Sequence, residues 1–504
     1  MYDGRGLSQG LDIMQVNASD YYAYIRPSKC SLRVFLRHAG APEGEPSPYE
    51  SVIRRLGEHH EQSQLATFPD AVDLSSGGLE DRQRRTLEAV AAKAGVIYQG
   101  VLTIAATLNQ TRCVVTGVPD FLIESGGRYV IRDSKISRRI TEDDHPEILR
   151  QMELYGWLFE QQFGQRPAGL QVHSGTGEIV EIPYDGGAVA LERLGEIVGF
   201  KQAKSAPYSP VGWTKCGGCG FNTRCWADAE KRRDVALVAG VDQGLAIALR
   251  HDGIETIDQL LKSFDEARLA GYPRPWGTKT QRVGAKAGAI LRMAKAMATN
   301  QEILLQVPQI PAHLNYVMFD LEGLPPQLDE LDKVYLWGLQ VFGRNAGPFQ
   351  AATAGFGTDG DRQGWEDFLT KADAVFAQHG DLPFVHWHHY ERAKLDGYLA
   401  RFGDRAGIAA RVRRNLLDLL PIAQKSVALP LPSYSLKVVE RYVGYKRSLT
   451  EYGGDWAMAK YIEATETADE RERAAVMDQI LAYNREDLEA TWAVLQWLKS
   501  KQAA

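Results

Sequence analysis

The chain has 504 residues, too many for one hydrophobic core, so we expect about two to four folding units. Hydrophobic residues make up 44% and charged residues 24%, as in an ordinary soluble globular protein, and the net charge of −6 excludes a uniform attraction to phosphate. No apolar run approaches the roughly 18 residues that span a bilayer, and MYDGRGLSQG at the N-terminus lacks the features of a signal peptide. We therefore expect a cytoplasmic protein without a membrane partner.

The predicted elements form three blocks of an α/β multidomain protein. The first, residues 1–230, mixes strand-like runs with amphipathic helices, and APEGEPSP (41–48) predicts a surface loop. The second, residues 231–305, is helical: GVDQGLAIALRHDGIETIDQLL surrounds a His-Asp-Gly-Ile turn, and GTKTQRVGAKAGAILRMAKAM joins a Gly- and Lys-rich turn to a helix. EILLQVPQIP predicts a linker because of its two prolines. The third, residues 306–504, opens with a buried strand in LNYVMFDLEG and ends in a long helix.

Charged residues lie at the ends of apolar runs in the first block. An apolar strand in VVTGVPDFLI is predicted to carry Asp120, and a strand in RYVIRDSKIS to place Asp133 and Lys135 on one face. Converging carboxylates repel unless a divalent metal binds them, and a lysine beside that metal can polarise a scissile phosphate. The pattern predicts phosphodiester hydrolysis; the alternative for Asp-Ser-Lys alone is an ion pair at a strand end.

The spacing of these residues resembles the motif of the PD-(D/E)xK nuclease superfamily, with Pro119-Asp120 followed by Asp133-Ser134-Lys135. Two further segments extend the resemblance to the RecB-like branch of that superfamily. LGEHHEQSQL is similar to its Gly…His-Glu helix, and RQMELYGWL is similar to its QxxxY helix. The resemblance implies a restriction-endonuclease-like core.

The resemblance also implies roles for individual residues at a site that binds Mg2+ or Mn2+. The implied metal ligands are His60, Asp120 and Asp133, the catalytic lysine is Lys135, and the supporting residues that contact nucleic acid are Gln151 and Tyr155. His59 is an alternative to His60, because the spacing from glycine to histidine varies among relatives.

Three of the five cysteines form the segment CGGCGFNTRC, in which Cys216, Cys219 and Cys225 have the spacing C-x2-C-x5-C. A tetrahedral thiolate site needs a fourth ligand, for which Cys30 is the candidate, whereas Cys113 is expected in the core. One cysteine before the nuclease core and three after it resemble the iron–sulfur staple of RecB-like nucleases. The resemblance implies a [4Fe–4S] cluster that ties the ends of the domain together, and Zn2+ is the alternative.

A second set of acidic residues lies in the third block. Asp320 and Glu322 are two apart on a predicted strand, and Tyr483 and Asp487 are four apart on a predicted helix, so each pair shares a face. A strand DxE with a distant helical YxxxD resembles the DEDD 3'–5' exonucleases of the ribonuclease H-like fold, in the subgroup that uses tyrosine. The resemblance implies four carboxylates that hold two metals, and a tyrosine that orients the nucleophilic water.

The middle motif of that family, Asn-x-x-x-aromatic-Asp, has its closest match in HWHHYE. His386, Tyr390 and Glu391 occupy its three positions, and Glu391 keeps the charge of aspartate with a longer reach. Asp418 is a further supporting candidate, and SYSLK (433–437) looks like the loop that precedes helices in relatives.

The turns of the second block resemble helix-hairpin-helix elements, which hold backbone phosphates through N–H groups at a helix start. Lys279, Arg282 and Lys286 lie near the second turn and suit that role. The alternative is a small helical spacer.

The order of the blocks resembles a family of bacterial and archaeal proteins predicted to carry two nucleases, a RecB-like iron–sulfur nuclease and a ribonuclease H-like DEDD exonuclease. The resemblance implies a metal-dependent DNA nuclease that acts on single-stranded ends in DNA repair or in defence against mobile DNA. The alternatives are a nucleic-acid-binding scaffold whose exonuclease-like domain is inactive, and an RNA-processing nuclease. No GxxxxGK motif occurs, so unwinding by ATP would need a partner such as a helicase.

Overall fold

The computed structural model describes residues 13–25, 29–45, 47–277, 279–324, 332–355, 357–448 and 453–502. The chain divides into two compact units, of which the first is Met1–Gly44 with Ile53–Ser209 and the second is Glu45–Val52 with Pro210–Ala504. The division at 230 and 305 expected from the sequence stays a prediction. Among the described residues, no helix has both the length and the apolar character needed to cross a bilayer.

The described residues up to Ser209 contain both helices and strands. The helices are α1 (Ser19–Tyr24), α2 (Ser31–His38), α3 (Pro48–Leu65), α4 (Leu79–Ala91), α5 (Pro146–Phe163) and α6 (Ala188–Lys201). The strands are β1 (Met14–Asn17), β2 (Val72–Asp73), β3 (Val96–Tyr98), β4 (Leu102–Leu108), β5 (Thr111–Gly117), β6 (Phe121–Ser125), β7 (Arg128–Ser134), β8 (Gly169–His173) and β9 (Ile179–Ile182).

Two sheets share helix α5 in the first unit. One has the strand order β1-β5-β4 and the other the order β2-β3-β6-β7-β8-β9. Helix α5 begins at Pro146 and ends at Phe163, because the left-handed backbone of Gly164 stops the helix. Most of α5 is buried, and it contacts strands of both sheets. Strands β5 and β7, on either side of the predicted nuclease motif, therefore lie against this helix.

The remainder of the chain holds a helical segment followed by a mixed α/β segment. Its helices are α7 (Trp213–Cys216), α8 (Asn222–Arg232), α9 (Gln243–His251), α10 (Ile257–Ser263), α11 (Glu266–Gly271), α12 (Ala287–Thr299), α13 (Gly357–His379), α14 (Tyr390–Phe402), α15 (Ile408–Arg414), α16 (Leu419–Ser426), α17 (Leu436–Tyr442), α18 (Gly454–Glu466) and α19 (Glu470–Ser500), with 3-10 turns at Val235–Leu237 and Gly284–Lys286. Its strands are β10 (Pro273–Trp276), β11 (Lys279–Arg282), β12 (Ile303–Leu304), β13 (Asn315–Gly323), β14 (Val334–Gly343), β15 (Gln350–Thr353), β16 (Phe384–His386), β17 (Leu416–Asp418) and β18 (Val427–Ala428).

The largest sheet of the second unit has the order β15-β14-β13-β16-β17. Strand β13 is antiparallel to β14 and parallel to β16. Alternate residues of β13 enter different apolar cores: Val317 and Phe319 pack with residues of α13, and Tyr316 and Met318 pack with residues of α19. Both faces of β13 are therefore covered, as its long apolar run predicted.

Two elements of the second unit differ from the sequence prediction. Lys279 and Arg282 lie on β11, which forms a hairpin with β10, and not at a helix start. Pro273 and Pro275 explain this difference, because proline and the residue before it favour extended backbone. The predicted linker EILLQVPQIP contains β12, which pairs with β18 more than a hundred residues later, a contact that local sequence does not indicate. Helices α9 and α10 flank the His-Asp-Gly-Ile turn as predicted.

Candidate active sites

The first candidate site lies where β5, β6 and β7 meet in the first unit. Asp133 is the last residue but one of β7 and is buried. Asp120 lies in the connection between β5 and β6, so the prediction that a strand carries it was wrong by one residue. The Asp120 N–H donates to Asp133 Oδ1 (2.9 Å), and the Ser134 N–H donates to Asp120 Oδ2 (2.7 Å). These reciprocal hydrogen bonds hold the two carboxylates together.

Lys135 supplies positive charge at the first site. Its Nζ lies 2.9 Å from Asp133 Oδ2. Burial opposes the charged form of Lys135, but the surrounding negative charges, of which Asp133 contributes most and Asp120 also contributes, together outweigh burial and raise the pKa of Lys135 well above its usual value. Burial and the charge of Asp133 raise the pKa of Asp120. When both acids are ionised, one lysine leaves a net negative charge, which favours a bound cation.

Helix α3 brings a third carboxylate towards this site. Glu61 accepts hydrogen bonds from Tyr98 Oη (2.7 Å) and Gln99 Nε2 (2.9 Å). Its charge also contributes, after burial and Asp133, to the raised pKa of Asp120. Sequence reasoning included Glu61 in the Gly…His-Glu helix but assigned metal ligation to the histidine before it and no role to Glu61.

The predicted ligand His60 makes different contacts. Its ring stacks on His173 with the centroids 4.3 Å apart, and its Nε2 lies 3.2 Å from the His173 carbonyl oxygen. That oxygen also accepts the Lys135 N–H (2.9 Å), so His60 lies next to the backbone of the catalytic motif. The alternative, His59, is exposed on α3. Metal ligation by His60 stays a prediction.

The predicted supporting residues on α5 lie beneath the first site. Gln151 Nε2 donates to Tyr155 Oη (3.0 Å), and Tyr155 Oη donates to the Val118 carbonyl oxygen (3.2 Å), two residues before Asp120. The approach of this tyrosine requires Gly117, because a Cβ there would lie 2.7 Å from the Tyr155 ring. Helix α5 thus supports the connection that carries Asp120.

The second candidate site is a group of three carboxylates in the second unit. Asp320 and Glu322 lie on β13, and Asp487 lies on α19. Their ligand oxygens lie within 4.8 Å of one another, and the described residues hold no other group of three His, Cys, Asp or Glu side chains that meets this distance. Tyr316 and Met318 pack against α19, so the period of two along β13 directs Asp320 and Glu322 to that same helix.

Repulsion dominates the electrostatics of the second site. Burial and the charge of Asp487 raise the pKa of both Asp320 and Glu322 well above their usual values, and the charge of Glu391 adds to both shifts. Burial raises the pKa of Glu391 as well, against the hydrogen-bonding contact with His386, whose Nδ1 lies 3.2 Å from Glu391 Oε2. The charges of Asp487 and Glu391 therefore both affect Asp320 and Glu322, so the four predicted acidic residues belong to one site in the second unit.

Asp418 has a structural role next to this region. It ends β17, and its Oδ1 accepts the N–H groups of His388 (3.0 Å) and Leu420 (3.0 Å). It therefore caps α16 and holds the turn that leads to Tyr390 and Glu391 at the start of α14.

Sequence reasoning missed Asn484, which lies one helical turn before Asp487. Its Nδ2 donates to Asp320 Oδ2 (2.7 Å), and its side chain is fully buried. The close approach needs Gly338, opposite Asp320 on β14, because a Cβ at 338 would lie 1.8 Å from Asn484 Oδ1. A glycine inside a buried strand is the signal that could have indicated this approach.

Two cations that the motifs did not identify also contact this site. Arg447 binds Glu440 through two hydrogen bonds (2.6 and 2.8 Å) and forms an ion pair with Asp487. Lys437 Nζ donates to Tyr483 Oη (2.9 Å). Burial lowers the pKa of Lys437, whereas burial and Asp487 raise the pKa of Tyr483. Since an ammonium group only donates, the Tyr483 oxygen is the acceptor and its own proton is directed elsewhere.

The donor set of the second site fits Mg2+ or Mn2+. Carboxylate oxygens are the ligands that these ions prefer. A divalent cation would also relieve the repulsion that raises the pKa of Asp320 and Glu322. When bound there, such an ion supplies activation of water and neutralisation of charge on a phosphate.

The predicted cluster cysteines lie in both units. Cys30 precedes α2, Cys216 ends α7, and Cys219 and Cys225 follow within the next nine residues. All five cysteines are described, and none forms a disulfide. Cys113 is buried on β5, in the core. A [4Fe–4S] cluster, or zinc, at the other four stays a prediction.

Comparison with known proteins assigns each site to a domain. A model of the PD-(D/E)XK nuclease superfamily matches residues 32–226, which include the first site, and a model of the RNase H superfamily matches residues 317–499, which include the second. The solved structure titled "Crystal structure of SSO0001" is 18% identical over 42% of this chain and 86% of that chain, with a TM-score of 0.22. No curated protein matches the chain.

The two family models confirm the fusion that the motifs predicted. Domains of these superfamilies support a metal-dependent nuclease with a nucleic-acid substrate. The chain therefore joins a domain of the PD-(D/E)XK nuclease superfamily to a domain of the RNase H superfamily.

Proposed function

We propose that the protein is a metal-dependent exonuclease that hydrolyses DNA from single-stranded ends, with one hydrolytic centre in each superfamily domain. The convergence of Asp320, Glu322 and Asp487 carries this proposal. Acids that repel each other in a largely buried place cost free energy unless a cation binds them, so the convergence of these three carboxylates supports a metal site.

In the second centre, the protein's own residues would hold and orient the reactants. Asn484 fixes one oxygen of Asp320, which keeps the carboxylate in position before metal binds. Lys437 occupies the acceptor side of Tyr483 Oη, so the phenol can donate its proton to the attacking water or to a phosphate oxygen. Tyr483 would then orient the water without removing its proton.

In the first centre, Lys135 would neutralise the scissile phosphate. Asp133 holds its ammonium group at 2.9 Å, and 22% of the Lys135 side chain is exposed, so a phosphate oxygen can reach it. We propose Glu61 as an additional metal ligand at this centre, because Gln99 joins the two residues Glu61 and Asp120: its Nε2 donates to Glu61 Oε1 (2.9 Å), and its backbone N–H donates to the Asp120 carbonyl oxygen (2.7 Å). The predicted role of His60 and the role of Glu61 are distinguishable by metal titration of His60→Ala and Glu61→Gln.

The substrate follows from the resemblance of both domains to enzymes that process ends, and a role in DNA repair or defence against mobile DNA follows from the same resemblance. Single-stranded DNA is the proposed substrate, and RNA is the alternative. An ATP-driven helicase would have to be a separate partner.

The test compares wild type with Asp133→Ala, Asp320→Ala and the double variant. The substrates are 5'- and 3'-labelled linear single-stranded DNA, circular single-stranded DNA and RNA of the same sequence, each with Mg2+, Mn2+ or EDTA. The exposed Asp143 and Asp373 provide matched controls, as Asp143→Ala and Asp373→Ala.

We expect linear DNA to be shortened, circular DNA to remain intact, and each single variant to lose a distinct part of the activity. Full activity of the double variant, or activity in EDTA, would disprove the proposed centres. Cleavage of the circle would show an endonuclease, faster loss of RNA would favour the RNA-processing alternative, and an intact linear substrate with tight binding would favour the scaffold.

A further inference from the structure

We propose that the hairpin of β10 and β11 binds single-stranded nucleic acid by stacking a base on the indole ring of Trp276. The ligand class rests on the nuclease function proposed above. Trp276 ends β10 just before the turn at Gly277, and 51% of its surface is exposed. A large aromatic ring exposed at the tip of a hairpin needs a partner to bury it, and a nucleobase is a flat partner that matches it.

The register of the hairpin places polar and basic side chains beside this ring. Trp276 pairs with Lys279, and Arg274 pairs with Gln281. Residues directly opposite one another on antiparallel strands share a face, as do residues two apart on one strand. All four side chains therefore lie on one face of the hairpin.

Arg274 holds the indole ring in place. Its guanidinium carbon lies 4.6 Å from the centroid of the Trp276 ring, and its guanidinium group forms an ion pair with Asp242, the N-cap residue of α9. Arg274 itself is only 6% exposed. One side of the ring is thus covered by a fixed cation, and the exposed part is left for a base.

The base of the hairpin is fixed on helix α9. A Cβ at Gly244, in the first turn of α9, would lie 2.2 Å from the Pro275 carbonyl oxygen, so β10 and α9 are in close contact. Tyr272 Oη, just before β10, lies 3.0 Å from the Ala248 carbonyl oxygen. A strand anchored at its base in this way loses less conformational entropy when a ligand binds.

The charges around the hairpin indicate a polyanion as the ligand. Across the described segments of the chain, no acidic side chain forms an ion pair with Lys279, Arg282 or Lys286. By contrast, each of the following exposed or partly exposed arginines has an acidic partner: Arg84, Arg233, Arg411 and Arg413. Unpaired cations beside an exposed aromatic ring are the pattern of proteins that bind single strands.

This binding mode differs from the helix-hairpin-helix contact that the sequence predicted. Such a contact holds phosphates through backbone N–H groups and does not depend on the bases. Stacking on Trp276 depends on an accessible base face, which a duplex hides and a single strand exposes. Removing the bases from the ligand therefore distinguishes the two modes.

The test measures fluorescence anisotropy of a labelled oligothymidylate in EDTA, where hydrolysis does not interfere. We expect Trp276→Ala to weaken binding about ten-fold, as removal of one stacked base does, and Trp276→Phe to keep most of the affinity. The control is Trp213→Ala, because Trp213 is 48% exposed and lies outside the hairpin. Circular dichroism of each variant verifies folding.

Two further arms separate stacking from charge. With an abasic strand of the same length, we expect wild type and Trp276→Ala to bind equally. With the double variant Lys279→Ala and Arg282→Ala, we expect the slope of log affinity against log salt to fall by about 0.7 per lost phosphate contact. Binding of an RNA oligonucleotide of the same length, measured in the same way, shows whether the hairpin prefers DNA or RNA.

The inference is overturned if Trp276→Ala binds as tightly as wild type, or if Trp213→Ala weakens binding equally. Either result leaves the nuclease proposal intact when wild type still degrades the oligonucleotide with Mg2+. A wild-type protein that neither binds nor degrades any strand overturns both proposals.

Discussion

The two carboxylate centres of this chain balance buried negative charge in different ways. In the first, Asp120 and Asp133 each accept an N–H group from the other's backbone segment, and Lys135 pairs with Asp133. In the second, three carboxylates meet within 4.8 Å because α19 packs on β13. The first arrangement is held by local hydrogen bonds and Lys135, whereas the second is assembled from distant elements, with Arg447 paired to Asp487.

The largest effects on the rate of hydrolysis are expected when one centre is inactivated and a residue of the other centre is then substituted. In an Asp133→Ala background, we expect Glu322→Gln to lower the remaining rate roughly 1000-fold, because a neutral amide cannot hold the cation that stabilises the transition state. In an Asp320→Ala background, Lys135→Met should lower the rate by about 100-fold or more. Single-turnover hydrolysis of end-labelled DNA measures both. Equal residual rates in all four variants would show that the measured activity comes from neither centre.

A backbone substitution tests how the second centre is assembled. Gly338→Ala would force Asn484 away from Asp320, since the new Cβ would lie 1.8 Å from Asn484 Oδ1. We expect a loss of about 2 kcal/mol in the free energy of unfolding, together with reduced activity at this centre. Gly397→Ala is the matched control. A Cβ added at position 397 would meet nothing within 4 Å, and alanine is favourable in the helix α14 that contains this residue. Calorimetry on both variants checks the difference, and equal stability would contradict it.

In the absence of metal, neutralising one acid should change the free energy of unfolding in opposite directions at the two centres. The raised pKa of Asp320 means that the folded protein binds a proton at a pH where the unfolded chain, with a pKa near 4, has lost it. Stability is therefore lost as pH rises through the folded pKa. In EDTA at pH 8, Asp320→Asn should stabilise the second unit by about 1 to 2 kcal/mol, whereas Asp133→Asn should destabilise the first by a similar amount because Lys135 loses its partner.

Thermal unfolding with and without Mn2+ measures this contrast. Mn2+ should stabilise wild type, and Asp320→Asn should remove most of the gain in the second unit. If Asp320→Asn destabilises the protein in EDTA at pH 8, the repulsion inferred at this centre does not exist.

The smallest effect concerns the lysine that holds Tyr483. We expect Lys437→Met to lower the rate of the second centre about ten-fold, as loss of a residue that orients a catalytic group does, and Lys437→Arg to restore part of it. Tyr483→Phe should have a similar effect, and the double variant should lose little more, because both act through one hydrogen bond. Fully additive losses would show that the two residues act independently.

Much of both centres could be predicted from local spacing. Asp320 and Glu322 are two apart on a strand, and Tyr483 and Asp487 are four apart on a helix, so each pair shares a face whatever surrounds it. The same reasoning paired Asp133 with Lys135. It failed for the β10–β11 hairpin, because a Gly- and Lys-rich segment is compatible with either a helical turn or a two-stranded ribbon.

The sequence by itself determined the families, the acidic residues and their division between two centres, because motif spacing and side-chain charge are local properties. Only the tertiary structure decided which partners those acids have. Asn484 reaches Asp320 across 164 positions, and Glu61 approaches Asp120 from a separate helix. Such contacts depend on how helices pack on sheets, and packing is set by the shapes of many side chains together and not by any single segment.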